Sequence, residues 1–358
     1  MSAPSRSISV FVVDDSAVSR ELLTHVLTSD PDITVIGSAR DGAEAIEALG
    51  GTKPSVVTMD IHMPGMDGFE ATRRIMETAP LPIIIVSASF EPSDVAKAFR
   101  AMEAGALAVL GKPTGPGSPT HAALAQQLIE TVKAMAEVRV IRRWPKARME
   151  ARRPQPAAVP QGAGEIRLIA IGASTGGPPV LKTLLSGLPK PCPVPVLIVQ
   201  HISAGFVEGL ADWLTTTTGM TVRLAQHGEL AQPGLAYLAP DGCQMSVGKD
   251  LRIVCGPGPA EHGLAPSVSV LFRSVAQRIG AQAAGVLLTG MGRDGAAELS
   301  LMREAGAVTF AQDRESSIVH GMPGEAIRLG AAMHVGSPER IAATLHAMLL
   351  PRLSPLTP

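Results

Sequence analysis

A serine, a histidine and an aspartate, each closing an apolar run, are the residues in this chain whose types suit bond-breaking chemistry. Ser174 stands in Gly172-Ala-Ser174-Thr-Gly-Gly177 just after the apolar residues 168–171. That is the spacing of a nucleophile elbow, where a hydroxyl is held at the carboxyl end of a strand by a tight turn into a helix. His201 closes the apolar residues 195–200, and Asp294 lies in the glycine-rich turn after residues 285–288. A serine hydroxyl needs a base to take its proton, and the base needs a partner to fix its tautomer. Ser174, His201 and Asp294 supply those three roles. Two other uses of Ser174 compete. As a helix cap it comes too early, because Pro178 suits the first helical position and puts the cap at Gly177. A phosphate-binding loop would want Gly-x-Gly-x-x-Gly and an acid closing the next strand, whereas here Gln200-His201 closes it. The hydrolase reading is preferred.

A second set of chemical residues occupies the first half. Asp14-Asp15 follow the apolar residues 8–13, Asp60 follows residues 55–59, Ser87 follows residues 83–86, and Lys112 follows residues 107–110. Any one of these could be a solvated loop charge or a cap, yet all five fall at strand ends. Three carboxylates brought together repel unless a cation joins them, and a small all-oxygen set suits Mg2+. A lysine beside them can hold a phosphoryl oxygen.

The elements that must position these residues alternate. In the first half, strands at 8–13, 33–36, 55–59, 83–86 and 107–110 are interleaved with helical patterns. One helix starts near Ser16 with Val18, Leu22 and Val26 on a face, another spans 43–49 and is stopped by Gly50-Gly51, and a third spans 121–140. In the second half, strands at 168–171, 195–200, 221–224, 235–238, 285–288 and 308–311 alternate with helices at 179–185, 206–217 and 266–279 and others starting at Met322 and Pro338. A hairpin closes near Gly248-Lys249-Asp250. The pattern predicts an α/β protein of two doubly wound parallel sheets, the first flavodoxin-like, the second with a small β-hairpin. Residues 7–140 form the first domain and 165–350 the second. Between them, 141–164 is rich in Arg, Pro, Gln, Ala and Gly without hydrophobic period, and reads as a flexible linker whose basic residues are solvated.

Composition narrows the classes. The 358 residues are 46% apolar and 18% charged with a net charge of −1, so no global field favours nucleic acid or an anionic membrane. Aromatic residues at 3% leave little for base stacking. The three cysteines, Cys192, Cys243 and Cys255, form no C-x-x-C pair, which argues against zinc and disulfides and for a reducing cytoplasm. No apolar run approaches about 20 residues, and the start predicts no signal peptide, so membrane insertion is not expected. A DNA-binding output would need a compact basic helix-turn-helix, and the second half is α/β and not basic.

The first half resembles a response-regulator receiver through Asp14-Asp15, Met59-Asp-Ile-His-Met-Pro-Gly-Met-Asp-Gly68, Ser87 and Lys112-Pro113. The resemblance implies that Asp60 accepts a phosphoryl group from a histidine kinase, with Asp15 and Asp60 as direct Mg2+ ligands, Asp14 acting mainly through water, and Ser87 and Lys112 binding phosphoryl oxygens. With Gly-Ala-Ser174-Thr-Gly-Gly, Gln200-His201, Leu288-Thr-Gly-Met-Gly-Arg-Asp294-Gly and Ser316-Ser-Ile-Val-His-Gly-Met-Pro323, the chain is similar to chemotaxis receptor methylesterases nearly end to end. That implies a cytoplasmic enzyme hydrolysing γ-glutamyl methyl esters on methyl-accepting receptors, releasing methanol, and deamidating receptor glutamines. Ser174 would be the nucleophile, His201 the base and then acid, and Asp294 the residue orienting it. The N–H groups of Thr175 and Met291 are oxyanion-hole candidates, and the catalytic half needs no cofactor. The unphosphorylated receiver would restrain the enzyme. The alternative is a divergent or inactive paralogue serving as a receiver-controlled binding protein. Departures from the family pattern stand at Val109, usually Phe or Tyr, and at Ile202-Ser203, Gln244, Ser269 and His320, where Met-Pro, His, Asp and Tyr are common.

Overall fold

Short apolar runs bounded by turn residues form the strands, and the central strands of each parallel sheet are buried on both faces because helices cover both sides. In the computed structural model, described over residues 7–88, 92–138 and 165–350, the chain divides into two units between residues 150 and 151. The division falls in the stretch 141–164 read as linker, which lies outside the described residues.

The first unit runs β1 (Ile8–Val13), α1 (Ala17–Thr28), β2 (Ile33–Ala39), α2 (Gly42–Gly51), β3 (Val56–Met59), α3 (Gly68–Thr78), β4 (Ile83–Ser87), α4 (Pro92–Ala104), β5 (Ala108–Gly111) and α5 (His121–Ala136). Its five strands are all parallel in the order β2-β1-β3-β4-β5, the flavodoxin-like arrangement. Helices α1 and α5 pack together, as do α2, α3 and α4. Ser16 caps α1 by accepting the Ser19 N–H at 3.3 Å. Val18, however, is 76% exposed, and the buried stripe of α1 is Leu23, Val26 and Leu27. Stepping by four residues advances 40° per step, so Val18 lies well off the face that Val26 occupies. Gly50 and Gly51 do not stop α2 but form its last residues, and Thr52 is the C-cap. Lys53, held extended before Pro54, ends the helix instead.

The second unit runs β6 (Leu168–Ala173), α6 (Gly177–Gly187), β7 (Val196–Gln200), α7 (Val207–Thr218), β8 (Thr221–Leu224), β9 (Leu235–Leu238), β10 (Gln244–Val247), β11 (Ile253–Gly256), α8 (Val268–Arg278), β12 (Ala283–Leu287), α9 (Ala296–Glu304), β13 (Val308–Gln312), α10 (Met322–Arg328), β14 (His334–Gly336) and α11 (Pro338–Leu349). Seven parallel strands lie in the order β14-β13-β12-β6-β7-β9-β8, and β10 and β11 form the antiparallel hairpin. One face carries α6 against α7 and α11, and α8, α9 and α10 pack in succession on the other. Alternation along β6 feeds both layers. Leu168 and Ala170 join a core with Val268, Leu271 and Phe272 of α8 and Leu299 and Met302 of α9, while Ile169 and Ile171, also fully buried, face the other side.

The order of the strands places the site. From β6 the chain winds outward through β7, then returns to lay β12 on the opposite flank of β6. Loops leaving β6 and β12 therefore diverge and leave a crevice at their carboxyl ends. Two boundaries differ from the sequence reading. Helix α6 begins at Gly177 with Gly176 as its cap, one residue earlier than expected, and Gly176 takes a left-handed φ of 77°. Helix α8 begins at Val268, with Ser267 rather than Pro266 at its start.

Candidate active site and phosphoacceptor site

Ser174, His201 and Asp294 come from the ends of three neighbouring strands, β6, β7 and β12. Ala173 and Gln200 are register partners, so Ser174 and His201 are the next pair along, on strands about 4.8 Å apart. Ser174 N–H donates to the Thr289 carbonyl at 3.0 Å, and His201 N–H to the Ala173 carbonyl at 3.0 Å. These bonds extend the ladder one residue past each strand and fix the turn.

Ser174 Oγ makes no hydrogen bond among the described residues, and the side chain does not cap α6. A hydroxyl left without a structural partner is available for chemistry. The wall beside it is Gly290, where an added methyl would stand 2.7 Å from Ser174 Cβ and 2.4 Å from Met322 Sδ. Thr289 Oγ1 donates to the carbonyl of Thr175 at 3.0 Å and accepts the Val319 N–H at 3.0 Å, tying the serine turn to the segment before α10. No hydrogen bond occupies the N–H groups of Thr175 and Met291 among the described residues, and Met291 is 47% exposed.

His201 Nε2 lies 3.0 Å from Asp294 Oδ2. The separation is that of a hydrogen bond but the N–H is not aligned with the oxygen, a looseness that catalytic contacts commonly show before substrate binds. The carboxylate itself is fully engaged. Asp294 Oδ1 accepts from Ser267 Oγ at 2.8 Å and Ser269 N–H at 3.1 Å, and Oδ2 accepts from Val268 N–H at 2.7 Å. Asp294 thus serves α8 as an N-terminal cap supplied from another loop, and Ser267 turns its hydroxyl to the carboxylate rather than to its own helix. Burial would push the Asp294 carboxyl up, but the contacts from His201, Ser269 and Ser267 outweigh it and hold it well below the usual carboxylate range. The positive end of α8 adds to that effect.

Sequence reasoning assigned no role to the residues that brace this triad. Gln200 Nε2 donates to both the Ser174 and the His201 carbonyls at 2.8 Å, joining nucleophile and base turns. Ser269 Oγ donates to Glu298 Oε2 at 2.7 Å and accepts the Gly295 N–H at 2.9 Å, and Glu298 pairs with Arg273. Gln244 Oε1 accepts the Ser267 N–H at 2.9 Å. Two family departures, at Gln244 and Ser269, therefore sit in the support of Asp294. Gln200 could have been found, because a polar residue ending a buried strand beside a candidate base has few other uses. Ser267 and Ser269 carry no such signal.

In the first unit Asp14, Asp60, Ser87 and Lys112 end four strands as expected, and Asp14, Asp60 and Ser87 are buried. Asp14, Asp15 and Asp60 each offer an oxygen within 4.8 Å of the others. Lys112 Nζ lies 2.7 Å from an oxygen of both Asp14 and Asp60. Arg20 holds the acid turn by donating to the carbonyls of Asp14 at 2.7 Å and Asp15 at 3.1 Å. Burial pushes the Asp60 carboxyl up, Lys112 opposes it and Asp14 adds to it, leaving it above its usual value. Burial works against the Lys112 ammonium, but Asp14 and Asp60 outweigh it and raise it. An all-oxygen set of three carboxylates, two buried and crowded, fits Mg2+, with one amine beside it to meet a phosphoryl oxygen.

Lys112→Ala removes the cation between two buried carboxylates. The expected loss is about 3 kcal/mol of stability in this unit, of which added Mg2+ restores the larger part because it supplies the missing charge. Melting with and without Mg2+ measures this; a Lys112→Ala protein as stable as the parent in chelator would contradict it.

Comparison with known proteins follows the two halves. Residues 169–345 match the CheB methylesterase family and residues 10–124 the response regulator receiver domain. The chain is 54% identical over 349 residues to the protein-glutamate methylesterase/protein-glutamine glutaminase of Nitrosospira multiformis, covering 96% of this chain and 98% of that one. It is 52% identical over 350 residues to a protein of the same name, numbered 4, from Geobacter metallireducens, covering 96% and 99%. Among solved structures, the Thermotoga maritima CheB methylesterase catalytic domain is 30% identical with a TM-score of 0.49, covering 52% of this chain and all of that one.

Proposed function

This chain belongs to the CheB methylesterase family, with a response-regulator receiver ahead of the catalytic half, and from that membership we propose that Ser174, His201 and Asp294 carry out its hydrolysis. The enzyme is a protein-glutamate methylesterase and protein-glutamine glutaminase acting in chemotaxis adaptation. Ser174 Oγ attacks the γ-carbonyl of a receptor glutamyl methyl ester or glutamine. With Nε2 of His201 turned to Asp294, Nδ1 is the nitrogen that takes the serine proton and returns it to the departing methoxide or amide. Methanol or ammonia leaves, and water, deprotonated by the same nitrogen, hydrolyses the acyl-serine. The N–H groups of Thr175 and Met291 hold the oxyanion of both tetrahedral intermediates; one such donor contributes about 3 kcal/mol to the rate. The observation that supports this reading most is that Ser174, His201 and Asp294 follow three neighbouring strands of one sheet, with His201 Nε2 3.0 Å from Asp294 Oδ2.

Residues 7–140 act as the receiver and 165–350 as the catalytic domain, joined by the linker 141–164. A histidine kinase supplies the phosphoryl group to Asp60. Asp14, Asp15 and Asp60 would hold Mg2+, which when bound would supply positive charge against that of the transferred group, and Ser87 and Lys112 would bind the phosphoryl oxygens. The receptors are the substrates and the cytoplasm is the site of action. No helix of the described residues is long and apolar enough to cross a membrane.

Methanol release from a methylated receptor fragment tests both halves at once. Release should rise about tenfold or more with a small phosphodonor and Mg2+, a shift that needs only a few kcal/mol between restrained and active populations. Cutting the chain within 142–164 should give a catalytic half that works without phosphodonor. A cut protein no faster than the unphosphorylated whole chain would defeat the restraint model.

A further inference from the structure

An open cleft of about 820 Å³ adjoins the nucleophile's wall, lined by Arg293, Arg314, His320, Glu325, Ile327 and Arg328 together with three glycines. It is joined to the site through backbone. Gly290, against which Ser174 packs, gives its carbonyl to the N–H groups of Gly321 at 3.1 Å and Met322 at 3.0 Å, and pairs with His320 in a parallel bridge. Gly292, two residues beyond that wall, already lines the cleft. A segment presenting one residue to Ser174 must lay its neighbours along this rim.

The charge of the cleft is unbalanced. Arg328 is engaged by Glu325 through two bonds of 2.8 and 2.7 Å. Arg293 and Arg314 are exposed, and their guanidinium groups make no hydrogen bond or ion pair among the described residues. His320 brings no compensating group: burial, then the nearby Arg314, hold its imidazole below its usual value, so it stays neutral at neutral pH. Two guanidinium groups therefore face a cleft without a contact partner among the described residues, Arg293 feeling Glu325 only at longer range while Glu325 is held by Arg328.

We propose that Arg293 and Arg314 bind free glutamate side chains of the receptor segment that flank the ester being cleaved. The proposal rests on the methylesterase reading above. Guanidinium forks match carboxylates bidentately. The reaction also makes such groups, since each turnover turns a neutral ester or amide into a carboxylate. Segments already partly demethylated carry more of the charge these arginines recognise, so the enzyme favours finishing a segment it has begun.

The test uses the full chain, phosphorylated with a small phosphodonor and Mg2+, on synthetic receptor segments bearing a single γ-methyl glutamate flanked by either glutamates or alanines. The KM for methanol release should be about tenfold lower with flanking glutamates, the sum of two exposed pairs, and the preference should shrink in 0.5 M salt, where exposed charges about 10 Å apart are screened. In the double variant Arg293→Ala with Arg314→Ala the preference should fall below about twofold, with kcat changed far less than KM. Equal KM values for the two segments in the parent, or an undiminished preference in the double variant, would overturn the docking proposal while the esterase stands. No methanol from either segment, with parent or variant, would overturn the esterase reading and this proposal with it.

Discussion

Ser174→Ala should reduce methanol release by about 10⁴-fold to 10⁶-fold, the scale on which removing a serine nucleophile acts when base and nucleophile work as a unit. The same change should leave stability within about 0.5 kcal/mol of the parent. Both halves of the expectation come from one fact, that Ser174 Oγ has no hydrogen-bond partner among the described residues. The turn is held by backbone and neighbours: Ser174 N–H on the Thr289 carbonyl, Gly177 N–H on the Ser174 carbonyl at 2.8 Å, and Gln200 across the two loops. None of these uses the hydroxyl. Methanol assays and thermal melts on the same preparations decide it. A variant that folds like the parent and retains more than about a hundredth of its rate would mean that another group attacks the ester.

Asp294→Asn should behave differently, losing about 10⁴-fold in kcat and also about 2 kcal/mol of stability. The carboxylate accepts from Ser267 Oγ and Ser269 N–H on one oxygen and from Val268 N–H on the other, which also faces His201. An amide can place oxygen on only one side. Whichever way it turns, its NH2 meets at least one N–H at the start of α8; turned toward His201 it forces the imidazole into the wrong tautomer, and turned away it leaves His201 an acceptor without the carboxylate's charge. The stability difference should be flat from pH 5 to 9. A carboxyl held below its unfolded value contributes fully above that value, about 3.9, and loses the contribution only as pH falls through the folded one. Urea melts across that range, with kcat measured beside them, check the pair of effects. Full activity in a stably folded Asp294→Asn protein would remove Asp294 from the mechanism.

Much of this was legible in the chain because strand ends are. A buried parallel strand announces itself as a short apolar run, and the polar residue that closes it must face the carboxyl edge of the sheet. Ser174, His201, Asp60, Ser87 and Lys112 were found by that logic, and Asp14 with Asp15 by the same rule. What the sequence concealed depends on contacts between distant segments. Asp294 reaches Ser267 across 27 positions, and no local pattern says that a helix will start two residues late so that its first N–H groups meet a carboxylate. Pro266 suggested the wrong first residue for α8 for that reason. Strand β14 has three residues, too few to carry a period. Val18 misled because a four-residue step imitates a helix face for one turn and then drifts from it.

The carboxylate at the head of α8 also bears on how such an enzyme can decay. Selection that ceased to need demethylation would leave Ser174 free to drift, since its hydroxyl supports nothing among the described residues. Asp294 would remain under constraint, because the chain still has to fold around it. A descendant that kept the aspartate and lost the serine would therefore be the ordinary relic of this enzyme, and persistence of the acid alone would be no sign of surviving activity.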